Sequence, residues 1–154
     1  MKKLLSLLLF VCSLTTLSAQ QLTVEGVRQD AMTYLREEGY VPKLDEDGDL
    51  YVKLQGYTYS LLLKPQNDGS VFAEFYAVFS TDTPYQKLLE ACNAENCERG
   101  VFKYCVLGVE EGKVNYTIGY EFFYNPKDDF HGYLHDAVTL LPSLVADFVA
   151  KYES

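Results

Sequence analysis

His131 and His135 stand four residues apart, a spacing that on a helix sets two imidazoles on one face within reach of one metal ion. Two ligands are too few to hold it. The HExxH pattern fails because Gly132 occupies the place of the glutamate, and a third ligand would have to come from Asp128 or a cysteine. Asp128 and Asp129 suit the positive end of a helix dipole without any metal. The two histidines therefore read as surface residues near a helix start. A metal or small-molecule site built on them and the nearby carboxylates is the alternative.

Cysteine offers less. Four residues separate Cys92 from Cys97, so no CxxC redox pair exists, and Cys105 makes an odd third thiol beside them. Cys92 shares the apolar side of a helical stretch with Leu88 and Leu89, and Cys105 alternates with Leu107. Packing of that helix on that row would bring the two sulfurs together, while buried free thiols are the commoner outcome at such positions. Asp45, Asp47 and Asp49 alternate like calcium ligands, but an EF-hand loop starting at Asp45 needs glycine where Leu50 stands and glutamate where Gly56 stands. A solvated turn is the better reading. GxSxG, Walker A, GxGxxG and paired-carboxylate patterns are all absent, so the sequence predicts a non-catalytic domain with no cofactor.

The elements that would position these residues follow from periodicity. Val24, Val27, Ala31, Tyr34 and Leu35 recur at helical spacing, and Gly39 ends that helix. Tyr40–Leu44 with Pro42 suits a short edge strand. Leu50, Val52 and Leu54, then Tyr57, Tyr59, Leu61 and Leu63, then Val71, Ala73, Phe75, Ala77 and Phe79 form three alternating rows separated by Gly56 and by Pro65–Gly69. Thr83 and Pro84 suit an N-cap and a first-turn proline for a helix through Leu88, Leu89 and Cys92, closed by Gly100. Val101, Lys103, Cys105, Leu107 and Val109 are assigned to the core row of the next strand, leaving Phe102 and Tyr104 opposite. Val114–Tyr124 returns as the last strand. A terminal helix carries Leu134, Val138, Leu141, Val145 and Phe148, and Pro142 predicts a kink or two abutting helices within it. The order is α-β-β-β-(β)-α-β-β-α. It predicts an α+β domain with an antiparallel sheet of about five strands and helices packed on one face.

Lys2 and Lys3, the apolar run Leu4–Leu9 and the small residues Ser18 and Ala19 compose a secretory signal peptide over residues 1–19, cut after Ala19 or Gln20. Cys12 resembles a lipoprotein cysteine only faintly, because Val11 is a poor residue before a lipidated one. A single domain over residues 20–154 in the periplasm or secreted space is expected, with no membrane insertion after cleavage. Losing two lysines makes the formal charge still more negative than −9, which argues against a nucleic-acid partner.

Thirteen tyrosines and nine phenylalanines with no tryptophan are the compositional excess. Tyr51, Phe72, Tyr76, Phe102, Tyr104 and Phe123 fall on the strand rows opposite the assigned core. Such an aromatic second face is either covered by the C-terminal helix or exposed for a protein partner or a second copy.

The segment LLEACNAENCERGVFKY over residues 88–104, with Asn93, Asn96 and Gly100-Val101-Phe102-Lys103, resembles the asparagine-bearing helix end and following strand of the YbjN family. The stretch from Leu35 to Leu63 resembles that family's helix, glycine, acidic turn, strand, glycine, strand opening. The resemblance covers most of the chain after the leader through loose structural motifs. It implies a type III secretion chaperone-like α+β fold, often dimeric, and the label of a bacterial sensory transduction regulator, which names no reaction. It also implies that Asn93 and Asn96 cap the helix and bridge to the next strand. Chaperones of similar fold work in the cytosol, and this chain departs from them in carrying a signal sequence. The expectation is a non-catalytic protein- or peptide-binding module.

Overall fold

The computed structural model describes residues 22–153, so the signal sequence, its cut and Cys12 lie outside the described residues. Helix α1 (Val24–Glu37) starts where Thr23 accepts a hydrogen bond from the Gly26 amide at 3.1 Å, and it buries Val27, Ala31 and Leu35. Strands β1 (Lys43–Leu44), β2 (Leu50–Leu54), β3 (Tyr57–Pro65) and β4 (Val71–Thr81) follow as an antiparallel meander. Gln55 and Gly56 join β2 to β3 with both φ angles positive, 49° and 91°, the backbone that a two-residue hairpin of matching twist requires.

Helix α2 (Tyr85–Glu98) carries the chain past one strand position to β5 (Phe102–Glu110), and β6 (Lys113–Tyr124) turns back between β4 and β5. The sheet order is β1-β2-β3-β4-β6-β5. Eleven β4 residues pair with β6, from Val71 opposite Tyr124 to Thr81 opposite Val114. Helix α3 (Phe130–Tyr152) closes the chain. This is the expected α+β order; the sheet has six strands where about five were expected, the two-residue β1 making the difference.

The core lies between the three helices and one face of the sheet. Leu50, Val52, Tyr59, Leu61, Ala73, Phe75, Tyr116 and Ile118 meet Leu35, Leu88, Leu134, Leu141, Val145 and Phe148 there. Burial of these side chains at about 1.5–3 kcal/mol each is the main stabilising term.

Three expectations are corrected. Helix α2 begins at Tyr85, and Thr83 makes no cap: its hydroxyl donates to the Tyr152 carbonyl at 3.3 Å and fastens the end of α3. Helix α3 runs unbroken through Pro142, with no division into two helices, because buried residues on both sides of the proline pack on the same core. The row assignment in β5 is inverted. Tyr104 is 2% exposed and its ring lies 5.2 Å from that of Phe148, while Lys103 and Cys105 stand on the other row. Beyond the register shift between Val106 and Gly108 the rows change over, and Val109 pairs with buried Val114 although it is itself 61% exposed. Both rows of β5 are apolar, so alternation alone does not choose between them. The helix end decides: Asn96 on α2 donates to the Tyr104 carbonyl and accepts from the Tyr104 amide, both at 2.8 Å, which fixes the strand under α2 with Tyr104 inward.

Candidate functional site

The same alternation that fills the core leaves a second set of side chains on the other face of the sheet. Along β4, Phe72, Glu74, Tyr76 and Val78 point away from the buried row. Register then assembles the surface. Phe72 lies opposite Phe123 with ring centroids 5.4 Å apart, Glu74 opposite Glu121, and Tyr76 opposite Gly119. Ser60 of β3 links Tyr76 to Tyr51 of β2 in one cross-strand row. No helix among the described residues lies over this face.

Gly119 shapes its middle. A Cβ there would come within 3.0 Å of both Glu74 Oε1 and Tyr76 Cβ, so these side chains close over the space the glycine leaves. Lys103 Nζ donates to Glu121 Oε1 at 2.8 Å. Burial, then the neighbouring Glu121 charge, pushes the Glu74 carboxyl above its ordinary range, with Lys103 and Lys64 partly offsetting the effect. Burial, then Glu74, likewise raises the Tyr76 phenol.

Tyr51, Phe72, Tyr76 and Phe123 therefore lie on the row opposite the buried one, where alternation assigns them. Phe102 and Tyr104 do not: they belong to the core row, with Phe102 partly buried against Tyr120 at 5.2 Å. Glu74, Gly119, Leu62 and Val78 complete the surface and were not singled out from sequence. The alternation of β4 carries the signal for Glu74 and Val78, but the role of Gly119 depends on a register that only the folded sheet supplies.

The residues considered for chemistry take structural places. His131 Nε2 lies 3.0 Å from Asp30 Oδ1, its ring stacks on Tyr34 at 4.7 Å, and His135 Nδ1 shares a 3.2 Å hydrogen bond with the Tyr34 hydroxyl. The pair thus clasps α3 to α1, beside an open cleft of about 500 Å³. Among the described residues no three metal-ligating side chains converge. Cys92, Cys97 and Cys105 are free thiols. Cys92 and Cys105 form no disulfide: Cys105 pairs with Thr117 on the outer face while Cys92 lies in the core, where burial, then the charge of Cys105, raises its thiol to about 11. Asp45 Oδ1 accepts from the amides of Asp47 and Asp49 at 3.1 and 2.8 Å, the solvated turn expected.

No protein-family model and no curated protein matches the chain. The site must therefore be read from its own geometry.

One buried ionic cluster lies on the helical side. Glu95, 5% exposed, accepts from Arg99 at 2.9 Å, Lys151 at 3.0 Å and the Tyr152 hydroxyl at 3.0 Å. Burial alone would raise its carboxyl, but these three donors together hold it below the ordinary range. Lys151 and Tyr152 belong to α3, so the carboxylate ties α2 to α3, which is a structural use.

Proposed function

We propose that the protein is a non-catalytic protein-binding module of the periplasm or secreted space, and that the uncovered face of its sheet is the binding surface. The observation that carries this reading is the asymmetry of the sheet. Three helices bury one face, while the other keeps Tyr51, Phe72, Tyr76 and Phe123 together with no described element over them. Tyrosine and phenylalanine supply large contact area at small cost in side-chain freedom, and tyrosine keeps a polar tip that water tolerates. The leader sequence supports the compartment. The resemblance to the YbjN family supports a regulatory or chaperone-like role, since that family's label names no reaction.

Affinity capture of the tagged protein from native envelope extract, run beside a Tyr76→Ser/Phe123→Ser variant, tests the reading. Both side chains lie outside the core, so the variant keeps its fold, checked by circular dichroism. A protein retained by the wild type and lost by the variant is the expected result. Equal retention by both refutes the assignment of the face.

A further inference from the structure

We infer that the corner of the sheet where β1 meets β2 is a binding site for a small, ring-bearing phosphate monoester, held by Lys43 and Lys53 over the ring of Tyr51. The site shares Tyr51 and Lys53 with the face read as a protein surface, but not Phe72, Tyr76 or Phe123, and it stands without that reading.

The backbone shapes the cleft first. Helix α1 ends at Gly39, whose φ of 88° lets its amide donate to the Arg36 carbonyl at 3.0 Å and the Tyr40 amide to the Leu35 carbonyl at 2.8 Å. Tyr40 thereby packs against the core, and Pro42 is buried two residues on. Val41 between them is left 72% exposed. Strand β1 then sets Lys43 directly opposite Tyr51, and Lys53 follows two residues along β2 on the same face. The result is a cleft of about 420 Å³ lined by Gly39, Tyr40, Val41, Lys43, Tyr51 and Lys53.

Its charge has one sign. Two ammonium groups and two phenols are the polar side chains of the lining, and no carboxylate is among them. The ion pairs among the described residues use Arg28, Arg99, Lys103, His131 and Lys151, so Lys43 and Lys53 stay unpaired. The tyrosine hydroxyls bonded to side chains among those residues are those of Tyr34, Tyr116 and Tyr152, which leaves Tyr40 and Tyr51 as free donors. The acids nearest in sequence are placed otherwise. Asp45 turns its carboxylate to the amides of Asp47 and Asp49, and Asp45 and Asp49 act on Tyr76. Glu37 and Glu38 precede Gly39 at the helix end and do not line the cleft. On a chain of formal charge −9, an anion is therefore held here only by direct contact with both ammonium groups.

That requirement selects the ligand. A monocarboxylate answers one lysine. A phosphate monoester, with a charge of about −2 at neutral pH and three acceptor oxygens, answers both and accepts from the phenols as well. The remaining walls are the rings of Tyr40 and Tyr51 and the Val41 side chain, and a cleft at the small end of ligand-pocket volumes admits one ring stacked on tyrosine, not a long chain.

Titration of the isotope-labelled chain with phenyl phosphate, followed through backbone amide shifts, tests the inference, with inorganic phosphate and phenol as half-ligands. The expected result is saturable shifts confined to residues 39–43 and 51–53, and an affinity for phenyl phosphate about fivefold or more above that for either half. Lys43→Gln and Lys53→Gln should each weaken binding about threefold to fivefold, the range of an exposed ion pair. Tyr51→Leu should erase the advantage of phenyl phosphate over inorganic phosphate, and Lys113→Gln, at the exposed β5–β6 turn, should change nothing. These side chains lie outside the core, so far-ultraviolet spectra stay native. Absence of saturable shifts, binding indifferent to both lysine variants, or inorganic phosphate bound as tightly as phenyl phosphate overturns the inference. A chain that binds phenyl phosphate but captures no protein keeps this site and loses the reading of the face. A chain that binds none, and whose captured protein is lost in Lys43→Gln/Lys53→Gln, places the two lysines in the protein surface and overturns the inference instead.

Discussion

Tyr59 and Tyr116 permit one substitution with two opposite expected signs. Both are fully buried in the same core, 0% exposed. Among the described residues the Tyr59 hydroxyl has no hydrogen-bond partner, whereas the Tyr116 hydroxyl donates to Glu153. An unpaired buried hydroxyl costs about 1–3 kcal/mol relative to water. Removing the oxygen in Tyr59→Phe relieves that cost and leaves a gap of about 10 Å³, worth about 0.2 kcal/mol at the usual cavity coefficient. The ring itself stays stacked on Phe75 at 5.5 Å. Tyr59→Phe should therefore stabilise the protein by about 1–2 kcal/mol, a rise in Tm of about 4–8 °C for a chain of this size. Tyr116→Phe removes a bond to a charged acceptor and should destabilise by about 1–2 kcal/mol. Urea unfolding at neutral pH, followed by near-ultraviolet circular dichroism of the tyrosines, gives both midpoints, and equal slopes confirm that the unfolding transition is unchanged. A lowered midpoint for Tyr59→Phe would refute the reasoning, since it would mean that the hydroxyl is bonded in the native protein. Movement of both variants in the same direction would refute it equally.

Asn96→Ala should cost about 2–3 kcal/mol in the same assay, because it strips two hydrogen bonds from the Tyr104 backbone on the free edge of β5; a loss below about 0.5 kcal/mol would sink the view that Asn96 fixes that strand. Under native conditions a thiol reagent should label exposed Cys97 first and Cys92 only on unfolding, read by mass spectrometry of the digested chain; early labelling of Cys92 would contradict its place in the core. Stability should fall at both ends of the pH scale. Burial raises Cys92 from 9.0 to about 11, and Tyr59 and Tyr104 from 10.0 to about 12, so the folded state holds protons the unfolded chain releases; this contribution is complete below about pH 9 and is lost as pH rises through 11–12. Glu95 is shifted the other way, so its contribution is present above 4.5 and is lost as pH falls through its lower folded value. Midpoints that stay flat from pH 9 to 12 would contradict the first half of this prediction, and a Glu95→Gln variant as acid-resistant as wild type would contradict the second.

The order of elements was legible because most of them have one polar side. Helix α1 sets Val27, Ala31 and Leu35 against Arg28 and Glu37, and β2 alternates Val52 with Lys53, so period and burial agree. Strand β5 has apolar residues on both rows, and the choice between them was made by Asn96, a partner eight residues away from Tyr104 in sequence. Tyr104 and Phe102 were assigned to the wrong face for that reason alone. In α3, Pro142 is a strong local signal for a break, and burial of Leu141, Val145 and Phe148 against the sheet outweighs it. The candidate surface was half legible: Phe72, Tyr76 and Phe123 follow from alternation, but the pairing of Glu74 with Glu121 and of Tyr76 with Gly119 is a property of strand order. That order places β6 between β4 and β5, which no local pattern announces.

The two faces of the sheet also set the kind of association to expect. An obligate interface resembles a core cut in half, and its residues cannot remain in water without loss of the fold. The outer face differs from the core row in just this respect. Val78 and Phe123 are more than half exposed, Lys53 and Lys64 stand among the rings, and Glu74 is only half-buried there. The helices and the inner face already supply a complete core of their own. The core is complete within one chain, so under the proposed reading a partner would dock on the outer face reversibly, with an affinity set by Tyr76 and its neighbours and a salt dependence set by the lysines. Raising ionic strength should accordingly weaken association without lowering Tm of the diluted monomer, and a protein that unfolds as it dissociates would be inconsistent with this division between core and surface.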